Sequence, residues 1–343
     1  MIVNQKLNNS QKHLSVMSRE VIVTTGSRLH WGLLSIAPLA GREFGGIGLM
    51  VDEPRLTLSV KKSAEEKDHI VCSENYISKI ENVINMTRRN LTGASRECYY
   101  SVEVQSEIPQ HCGFGSGTQL SLAVARAILM LNEKDQFSSM ELAQCVQRGA
   151  RSALGIHGFE SGGFIVEGGK NDSSEISPLV LRVDFPVDWK VLLITPTDRA
   201  GISGNIEAKA IQKLGSMPVS LTDKLCRLIL MQLIPSIRVQ DFEGFSAGLT
   251  EYGHAVGEFF QPAQGGIFAH PRMAELENLL SLKEILGMTQ TSWGPTLSVV
   301  CRDSTHAEYV SSILFENGYG EFCSIKIVKP LNRGAYTQLR NIA

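Results

Sequence analysis

The sequence lacks the excess of positive charge that a nucleic-acid-binding chain carries. Its 343 residues include 33 Lys and Arg against 35 Asp and Glu, which gives a formal net charge of −2. A composition this close to neutral indicates no basic surface for a phosphate backbone, so we expect no nucleic-acid partner. Hydrophobic residues make up 43% of the chain, which is typical of an ordinary globular protein.

Long apolar runs are absent as well. No window of the sequence approaches the ~18 consecutive apolar residues of a membrane-spanning helix. The first twenty residues contain no apolar stretch of about 7–15 residues, so they do not resemble a secretory signal. We therefore expect no membrane partner, a disordered leader over residues 1–20 and a cytoplasmic location.

Closely paired cysteines are missing too. The seven cysteines are scattered without a Cys-x-x-Cys pair, and the eight histidines are dispersed without a His-Glu-x-x-His motif. An odd number of cysteines in a chain without an export signal predicts reduced thiols. The sequence thus predicts neither a disulfide framework nor a metal site built by the protein.

The predicted strands and helices are mixed without the regular alternation of a doubly wound sheet, which favours the α+β class. At about 150 residues per domain, the length predicts two domains, which we place at residues 21–188 and 189–343. The breaker-free run Thr118–Leu131 predicts a buried helix. The other predicted elements are strands at Val21–Thr24 (followed by a glycine-punctuated loop), Arg55–Lys61, 100–105, Phe164–Glu167, Val191–Thr195, 297–301 and 324–329, and helices at Ser138–Ala150 and near 205–214, 220–234, 241–260, 273–286 and 304–317.

A glycine-rich loop, Gly113-Phe114-Gly115-Ser116-Gly117-Thr118, stands directly before the predicted buried helix. Glycines at a spacing of two let the backbone approach a ligand closely and adopt positive φ. A hydroxyl of Ser116 or Thr118 can cap the helix. Free N–H groups and the positive end of the helix dipole then point into one small volume, which favours a phosphate. The alternative interpretation is a flexible strand-to-helix turn.

Two common phosphate loops do not fit this segment. A P-loop ends in Gly-Lys-Ser/Thr, whereas this loop continues as Gly117-Thr118-Gln119 without a lysine. A dinucleotide-binding fingerprint requires a second strand ending in an acid about 20 residues further on, and residues 131–140 have the pattern of a polar loop.

The loop instead resembles the phosphate loop of the GHMP superfamily, which includes galactokinase, homoserine kinase and mevalonate kinase. The matching residues are Pro109, Gly113, Gly115, Ser116 and Gly117. Three further blocks narrow the resemblance to the β-ribofuranosylaminobenzene 5′-phosphate synthase family of methanopterin biosynthesis. These blocks are Gly26–Leu33 with Arg42–Gly48, Gly155–Phe164, and Ser292–Thr296. The resemblance extends from about residue 21 to the end of the chain.

This resemblance implies a GHMP-kinase-like fold, with an N-terminal domain like ribosomal protein S5 and a ferredoxin-like C-terminal domain. It also implies an enzyme that joins phosphoribosyl diphosphate to 4-aminobenzoate or 4-hydroxybenzoate and releases CO₂ and diphosphate. C1 of the ribose becomes cation-like as diphosphate departs, and the ring carbon that bears the carboxylate attacks it. The protein must stabilise the diphosphate, grip the 5′-phosphate and align the ring. The residues leave open which aromatic acid is preferred.

The resemblance and the chemistry of the residues together suggest candidate site residues. Arginines grip phosphate or carboxylate bidentately, and aromatic side chains form a slot for a flat ring. The diphosphate is expected at Gly113, Gly115, Ser116, Gly117 and Thr118. The catalytic candidates are Arg28, His30 and Glu160. The candidates for substrate binding are Arg42, Gly45, Gly46, Arg151, His157, Phe159, Ser292, Trp293 and Gly294, with Trp31 as a further candidate for the aromatic slot. Each has a structural alternative, such as a surface ion pair, a buried core position or a helix end.

Departures from the kinase pattern bear on two alternative functions. GHMP kinases usually carry Gly-Leu-Gly-Ser-Ser-Ala in the loop, where this chain has Gly-Phe-Gly-Ser-Gly-Thr. Many of them place an aspartate base in the segment that matches Gly155–Gly163, where this chain has Glu160 and no aspartate. An ATP-dependent small-molecule kinase remains the second hypothesis, because a glutamate can replace the base. A ligand-binding relative without catalysis is the third, although its phosphate loop would usually decay.

Two expectations concern partners. Mg²⁺ is expected to arrive with the diphosphate substrate, because this ion keeps several waters and needs few protein ligands. A homodimer is the default expectation for the assembly, because twofold symmetric dimers are the commonest oligomers.

Overall fold

The computed structural model describes residues 18–134, 137–172, 174–198, 201 and 204–342. The strands are β1 (Ser18–Ser35), β2 (Phe44–Lys62), β3 (His69–Val71), β4 (Tyr100–Ser106), β5 (Phe164–Glu167), β6 (Leu179–Val183), β7 (Lys190–Pro196), β8 (Met288–Gln290), β9 (Leu297–Cys301), β10 (Cys323–Val328) and β11 (Tyr336–Ile342). The helices are α1 (Glu74–Arg89), α2 (Ser116–Leu131), α3 (Ser139–Cys145), α4 (Leu154–Ser161), α5 (Gly204–Leu214), α6 (Val219–Leu228), α7 (Ile234–Val239), α8 (Phe242–Gln264), α9 (Arg272–Ser281) and α10 (Ser304–Glu316). The α+β class is confirmed. The predicted leader lies outside the described residues, except for its last three, which already belong to β1.

The larger of two sheets is built on the long antiparallel pair of β1 and β2. Its strand order is β11-β1-β2-β4-β3, and β5 pairs with another part of β2 and with β6. All pairs are antiparallel except β3 with β4. Val21 lies opposite Val60, and Leu29 lies opposite Leu49, so one face of the pair carries buried aliphatic side chains.

The predicted glycine-punctuated loop after Thr24 is wrong, because β1 continues through it to Ser35. Two register shifts, at Thr25/Ser27 and His30/Gly32, mark β-bulges in this part of the strand. A Cβ on Gly26 would lie 2.0 Å from the carbonyl oxygen of Val51. Glycine here allows close approach of two strands. It does not end the first strand.

Helix α2 packs against β1 and β2, and nearly all of its residues after the first turn are buried. The predicted helix is confirmed and begins two residues earlier, at Ser116. The predicted helix at Ser138–Ala150 is too long, because α3 ends at Cys145 and the chain then turns through Gln147 (φ 54°) and Gly149 (φ 96°). This turn leads the backbone towards the start of α2.

The second half contains a four-stranded antiparallel sheet in the order β10-β7-β9-β8. Helices α9 and α10 pack on it around a core of their own. Helix α8 contacts both β8 and β1, so it lies between the two halves. The predicted division between residues 188 and 189 stays a prediction, and β11, at the end of the chain, pairs with β1 in the larger sheet. No helix within the described ranges has the length and hydropathy needed to cross a bilayer.

Candidate active site

Two adjoining cavities meet where residues 28–33 of β1, the start of α2 and the segment after β8 come together. The loop cavity, of about 400 Å³, lies against Gly113–Thr118. The inner cavity, of about 260 Å³, continues from it to α8. Six residues line both: Arg28, Thr118, Arg148, Arg151, Ser292 and Trp293. The shared lining indicates one composite site for a ligand with two different parts.

The glycine-rich loop turns into α2 through left-handed backbone. Gly113 has φ 89°, and Gly115, at the N-cap, has φ 70°. The predicted side-chain cap by Ser116 or Thr118 is wrong, because Ser116 is already helical and no side chain caps the helix. The amides of Thr118 and Gln119 donate to the Gly115 carbonyl. The amides of Ser116 and Gly117 are first-turn donors without an acceptor inside the helix, which suits an anion in the loop cavity.

The segment after β8 hydrogen-bonds to both the glycine-rich loop and β1. The Thr291 hydroxyl donates to the Gly113 carbonyl at 2.9 Å and accepts from the His30 amide at 2.9 Å. A Cβ on Gly294 would lie 2.4 Å from the backbone of Cys112, so only glycine permits this contact. Three of the sequence blocks therefore meet at a single backbone junction, which places Ser292 and Trp293 beside the phosphate loop.

Arg28 reaches the same junction from β1. Its amide donates to the Phe114 carbonyl at 3.0 Å, and Nη1 approaches the Gly113 carbonyl at 3.5 Å. A Cβ on Gly115 would lie 3.3 Å from Arg28 Nε. The guanidinium thus lies directly beneath the turn into α2, where it adds positive charge to the helix N-terminus. Arg151, in the turn before α4, lines both cavities as well.

Sequence reasoning missed Arg148 and Lys79. Arg148 Nε donates to Ser121 Oγ at 3.1 Å. Lys79, on α1, donates to Gln110 Oε1 and lines the outer part of the loop cavity. Burial lowers the pKa of Lys79, and the nearby charge of Arg148 lowers it further. No local pattern identifies either residue, because α1 and the turn after α3 are brought to the loop by the fold.

The charge of the site is one-sided. Among the described residues, the lining of the two cavities contains Arg28, Lys79, Arg148 and Arg151 and no aspartate or glutamate. No group of side chains suited to a metal ion occurs in the described part of the chain. The part of the lining that the structure describes therefore offers cations for a polyanionic ligand and no carboxylate ligand for a resident Mg²⁺.

His30 lines the inner cavity as a neutral imidazole. Burial lowers its pKa well below the usual range, and the charge of Arg28 adds to the effect. The Gly32 amide donates to Nδ1 at 3.2 Å, so Nε2 carries the ring proton. At neutral pH the ring holds no additional proton to give away.

The inner cavity has an aromatic corner. Trp293 is 7% exposed and meets Phe260 edge-on, with ring centroids 4.9 Å apart. Val256 and Ile267 continue the apolar wall. Trp31 also lines the cavity, but its indole N–H donates to Ser298 Oγ and its ring packs on Phe164 and Phe245 in the core. The geometry suits a flat apolar ring held beside Trp293.

The structure places six of the predicted site residues outside the lining of both cavities. Arg42 pairs with Glu175, and its Nε donates to the Gly169 carbonyl at 3.1 Å. Gly45 and Gly46 lie in β2, where glycine allows close backbone packing. None of these three residues lines the loop cavity or the inner cavity.

The other three lie on α4. His157 Nε2 hydrogen-bonds to the Ser177 carbonyl at 2.8 Å, and burial lowers its pKa. Phe159 is fully buried beneath Arg126. Glu160 accepts hydrogen bonds from the amide and hydroxyl of Ser139, so its carboxylate stabilises the first turn of α3. The block that resembles the kinase base segment therefore turns these side chains into the protein interior and towards α3.

The architecture and the phosphate loop define a protein with the GHMP-kinase fold. Residues 75–164 match the model of the GHMP kinases N terminal domain. Homoserine kinase from Cytophaga hutchinsonii superposes with a TM-score of 0.62 at 14% identity, covering 98% of this chain and 100% of that one. Mevalonate diphosphate decarboxylase from Enterococcus faecalis gives 0.61 at 17% identity, covering 95% and 99%. At such identities the likeness shows the fold alone.

Sequence relatives narrow the class. A β-ribofuranosylphenol 5′-phosphate synthase from Archaeoglobus fulgidus is 30% identical over 332 residues, covering 90% of this chain and 97% of that protein. One from Methanothermobacter thermautotrophicus is 34% identical over 250 residues, covering 68% and 75%. The chain belongs to the β-ribofuranosylphenol 5′-phosphate synthase family, and the predicted resemblance is confirmed.

Proposed function

We propose that this enzyme transfers the phosphoribosyl group of phosphoribosyl diphosphate to a 4-substituted benzoate with loss of CO₂ and diphosphate. The observation that carries the proposal is the composite site, in which a cavity lined by cations and first-turn amides opens into an apolar cavity with an aromatic corner. Membership of the synthase family supports the same reaction. Methanopterin biosynthesis is the pathway that the family resemblance suggests.

In this proposal each part of the composite site has a separate task. The diphosphate binds at Ser116 and Gly117, where helix amides and Arg28 stabilise the charge that develops as the C1–O bond breaks. The aromatic ring lies against Trp293, with its carboxyl-bearing carbon towards the junction of the cavities. That carbon forms the bond to C1, and loss of CO₂ returns the bonding electrons to the ring. Alignment of two bound reactants supplies much of the catalysis.

This reaction needs no general base, because CO₂ leaves from the carbon that is attacked and no proton is transferred. The site fits that requirement, since its described lining holds no carboxylate and His30 is neutral. A kinase must remove a proton from an attacking alcohol, for which Glu160 was the sequence candidate. Glu160 is bound to Ser139 at the start of α3, outside the lining of both cavities, so the ATP-dependent alternative is not favoured.

Mg²⁺ belongs in this proposal as part of the substrate, bound by the diphosphate oxygens. The lining does not fit a resident ion, because it offers no carboxylate among its described residues. All seven cysteines are free thiols, which supports a cytoplasmic location. We retain a homodimer as the proposed assembly, to be measured by light scattering.

The test supplies purified protein with phosphoribosyl diphosphate and either 4-hydroxybenzoate or 4-aminobenzoate, and measures diphosphate and ¹⁴CO₂ release. The relatives are named for a ribofuranosylphenol, which is the product expected from 4-hydroxybenzoate, so both acids are needed. Unsubstituted benzoate is the matched control, because it lacks the para group that stabilises the cationic ring intermediate. ATP-dependent phosphorylation of a small alcohol, without diphosphate-linked CO₂ release, would contradict the proposal.

A further inference from the structure

Arg148 forms no ion pair with a carboxylate among the described residues, whereas several other half-buried arginines do. Within the described residues, Arg42 pairs with Glu175, Arg88 with Asp68 and Arg126 with Glu160. Arg148 makes no such pair, although burial lowers its pKa. Removing an arginine from water is costly unless an anion compensates, so the unmatched charge calls for an anionic ligand.

The chain holds this guanidinium at the phosphate loop by two means. The left-handed residues Gln147 and Gly149 flank Arg148 and turn it away from the end of α3. Ser121 Oγ then accepts from Arg148 Nε at 3.1 Å and donates to the Gly117 carbonyl at 2.8 Å. A Cβ on Gly117 would lie 3.5 Å from Arg148 Nη2. The guanidinium therefore lies beside the second residue of α2.

Arg28 and Arg148 approach the loop at different points. Arg28 lies beneath Gly115, and Arg148 lies beside Gly117. The amides of Ser116 and Gly117 lie between these contacts. A group with two linked phosphates can engage the amides and both guanidinium groups at once, and bidentate contacts to phosphate oxygens are the preferred geometry of arginine.

We propose that Arg148 is a substrate-binding residue that grips the departing diphosphate, and that Ser121 is the positioning residue that holds it over Gly117. This inference rests on the proposed function, since it names the leaving group of that reaction as the ligand. Arg148 neutralises charge on the side of the diphosphate away from Arg28. In this arrangement Arg28 and Arg148 place positive charge on two sides of the diphosphate.

The experiment measures binding of inorganic diphosphate by calorimetry, with and without Mg²⁺, to the full-length protein and to the variants R148Q, R148K and S121A. R126Q is the matched control, because Arg126 lies on α2 but is paired with Glu160 outside the cavities. We expect R148Q to weaken diphosphate binding at least ~10-fold, as expected for the loss of charge-assisted hydrogen bonds, with a smaller loss in R148K. R126Q should bind as the unmodified protein does.

Steady-state kinetics separate the binding role from a structural one. R148Q and S121A should lower kcat/KM for phosphoribosyl diphosphate while leaving KM for the aromatic acid within about twofold. Normal diphosphate affinity in folded R148Q would overturn the inference, as would absence of diphosphate binding to the unmodified protein. If R148Q does not fold, S121A and R148K decide by the same criteria. Failure of the proposed function is a separate result, seen as absence of CO₂ release by the unmodified protein.

Discussion

Gly115 is the residue of the phosphate loop that lies directly against the side chain of Arg28. Its φ of 70° is left-handed, and a Cβ there would lie 3.3 Å from Arg28 Nε. A branched side chain would therefore occupy the space between the arginine and the diphosphate. We expect Gly115→Val to lower turnover ~10²-fold or more, the scale of losing one donor to a developing anion, while circular dichroism stays native.

A control distinguishes lost binding from backbone strain. Gly215 has a similar φ of 73°, and a Cβ there would meet nothing within 4 Å. Gly215→Val carries the same conformational cost of roughly 1–3 kcal/mol without touching a ligand. It should lose stability and keep its kcat. Near-normal turnover in folded Gly115→Val would show that the loop is only a turn.

His30 makes a prediction about pH. Its pKa is lowered in the folded protein, so the unfolded chain binds the proton more tightly as the pH falls through about 6.5. The folded state therefore loses stability on acidification, by up to ~1.4 kcal/mol per pH unit for each extra proton bound on unfolding. Urea unfolding between pH 7.5 and 5.5 should show this slope, and His30→Asn should reduce it.

An equal slope in the parent and in His30→Asn would contradict the lowered pKa of His30 and would assign the acid limb to other groups, such as the buried His157. A smaller slope in His30→Asn would agree with a reaction that needs no protonated imidazole.

The sequence block Gly155–Phe164, which contains most of α4, resembles the family pattern, and its Glu160 contacts the start of another helix. Glu160 lies in the last turn of α4 and accepts a hydrogen bond from the first amide of α3, at Ser139. We expect Glu160→Gln to lower the free energy of unfolding by about 0.5–1 kcal/mol, the value of a charged acceptor at a helix start, and to leave kcat unchanged. Thermal unfolding and turnover of the same preparation check both parts.

The partner residue offers the control for that prediction. Ser139→Ala removes the hydroxyl that Glu160 accepts from and should cost stability in the same way. The two changes together should cost less than the sum of the single ones, because they break one shared interaction. A loss of turnover of 10-fold or more in folded Glu160→Gln would return this carboxylate to the catalytic machinery.

The sequence predicted elements well where periodicity and breakers agree. The helix of the phosphate loop and the strand Phe164–Glu167 were found within two residues, because uninterrupted apolar runs have few alternatives. The middle of β1 was missed, because its glycines have the pattern of a loop. Glycine is needed at position 26 because of a tertiary contact, the close approach of the Val51 carbonyl of the neighbouring strand. The local sequence pattern does not reveal which strand will approach so closely.

The residues of the candidate site also divide into those that local sequence motifs indicate and those that only the tertiary structure brings to the site. Arg28 and Trp293 lie in motif blocks, Arg151 lies beside one, and all three residues line the cavities. Arg148 was missed, since its position depends on the turn after α3 and on a hydroxyl of another helix. The sequence blocks that resemble the family indicate where segments of backbone meet, such as the contact between the glycine-rich loop and the segment after β8. The side chains that complete the charge of this site come from segments with no motif.

At the scale of the whole molecule, the site joins the two halves of the chain. Its loop and arginines belong to the larger sheet and its helices, whereas Phe260 and Trp293 come from α8 and the segment after β8. The final strand, β11, also pairs with β1 in the larger sheet. The second half of the chain therefore contacts the first half at two places, the composite site and this strand pair. Ligands that fill both cavities should therefore stabilise the chain as one cooperative unit.

This gives a measurement of linked binding. Inorganic diphosphate and 4-hydroxybenzoate together, each at about 100 times its Kd, should each contribute up to about 2.7 kcal/mol to the free energy of unfolding. We expect a single calorimetric unfolding transition whose midpoint temperature rises. The reason is that the residues lining the loop cavity cannot unfold without disrupting those lining the inner cavity. Gly115→Val should keep the shift caused by the acid and lose the shift caused by diphosphate. Two separate transitions, of which only one responds, would show that the halves unfold independently and that the junction at Thr291 does not couple them.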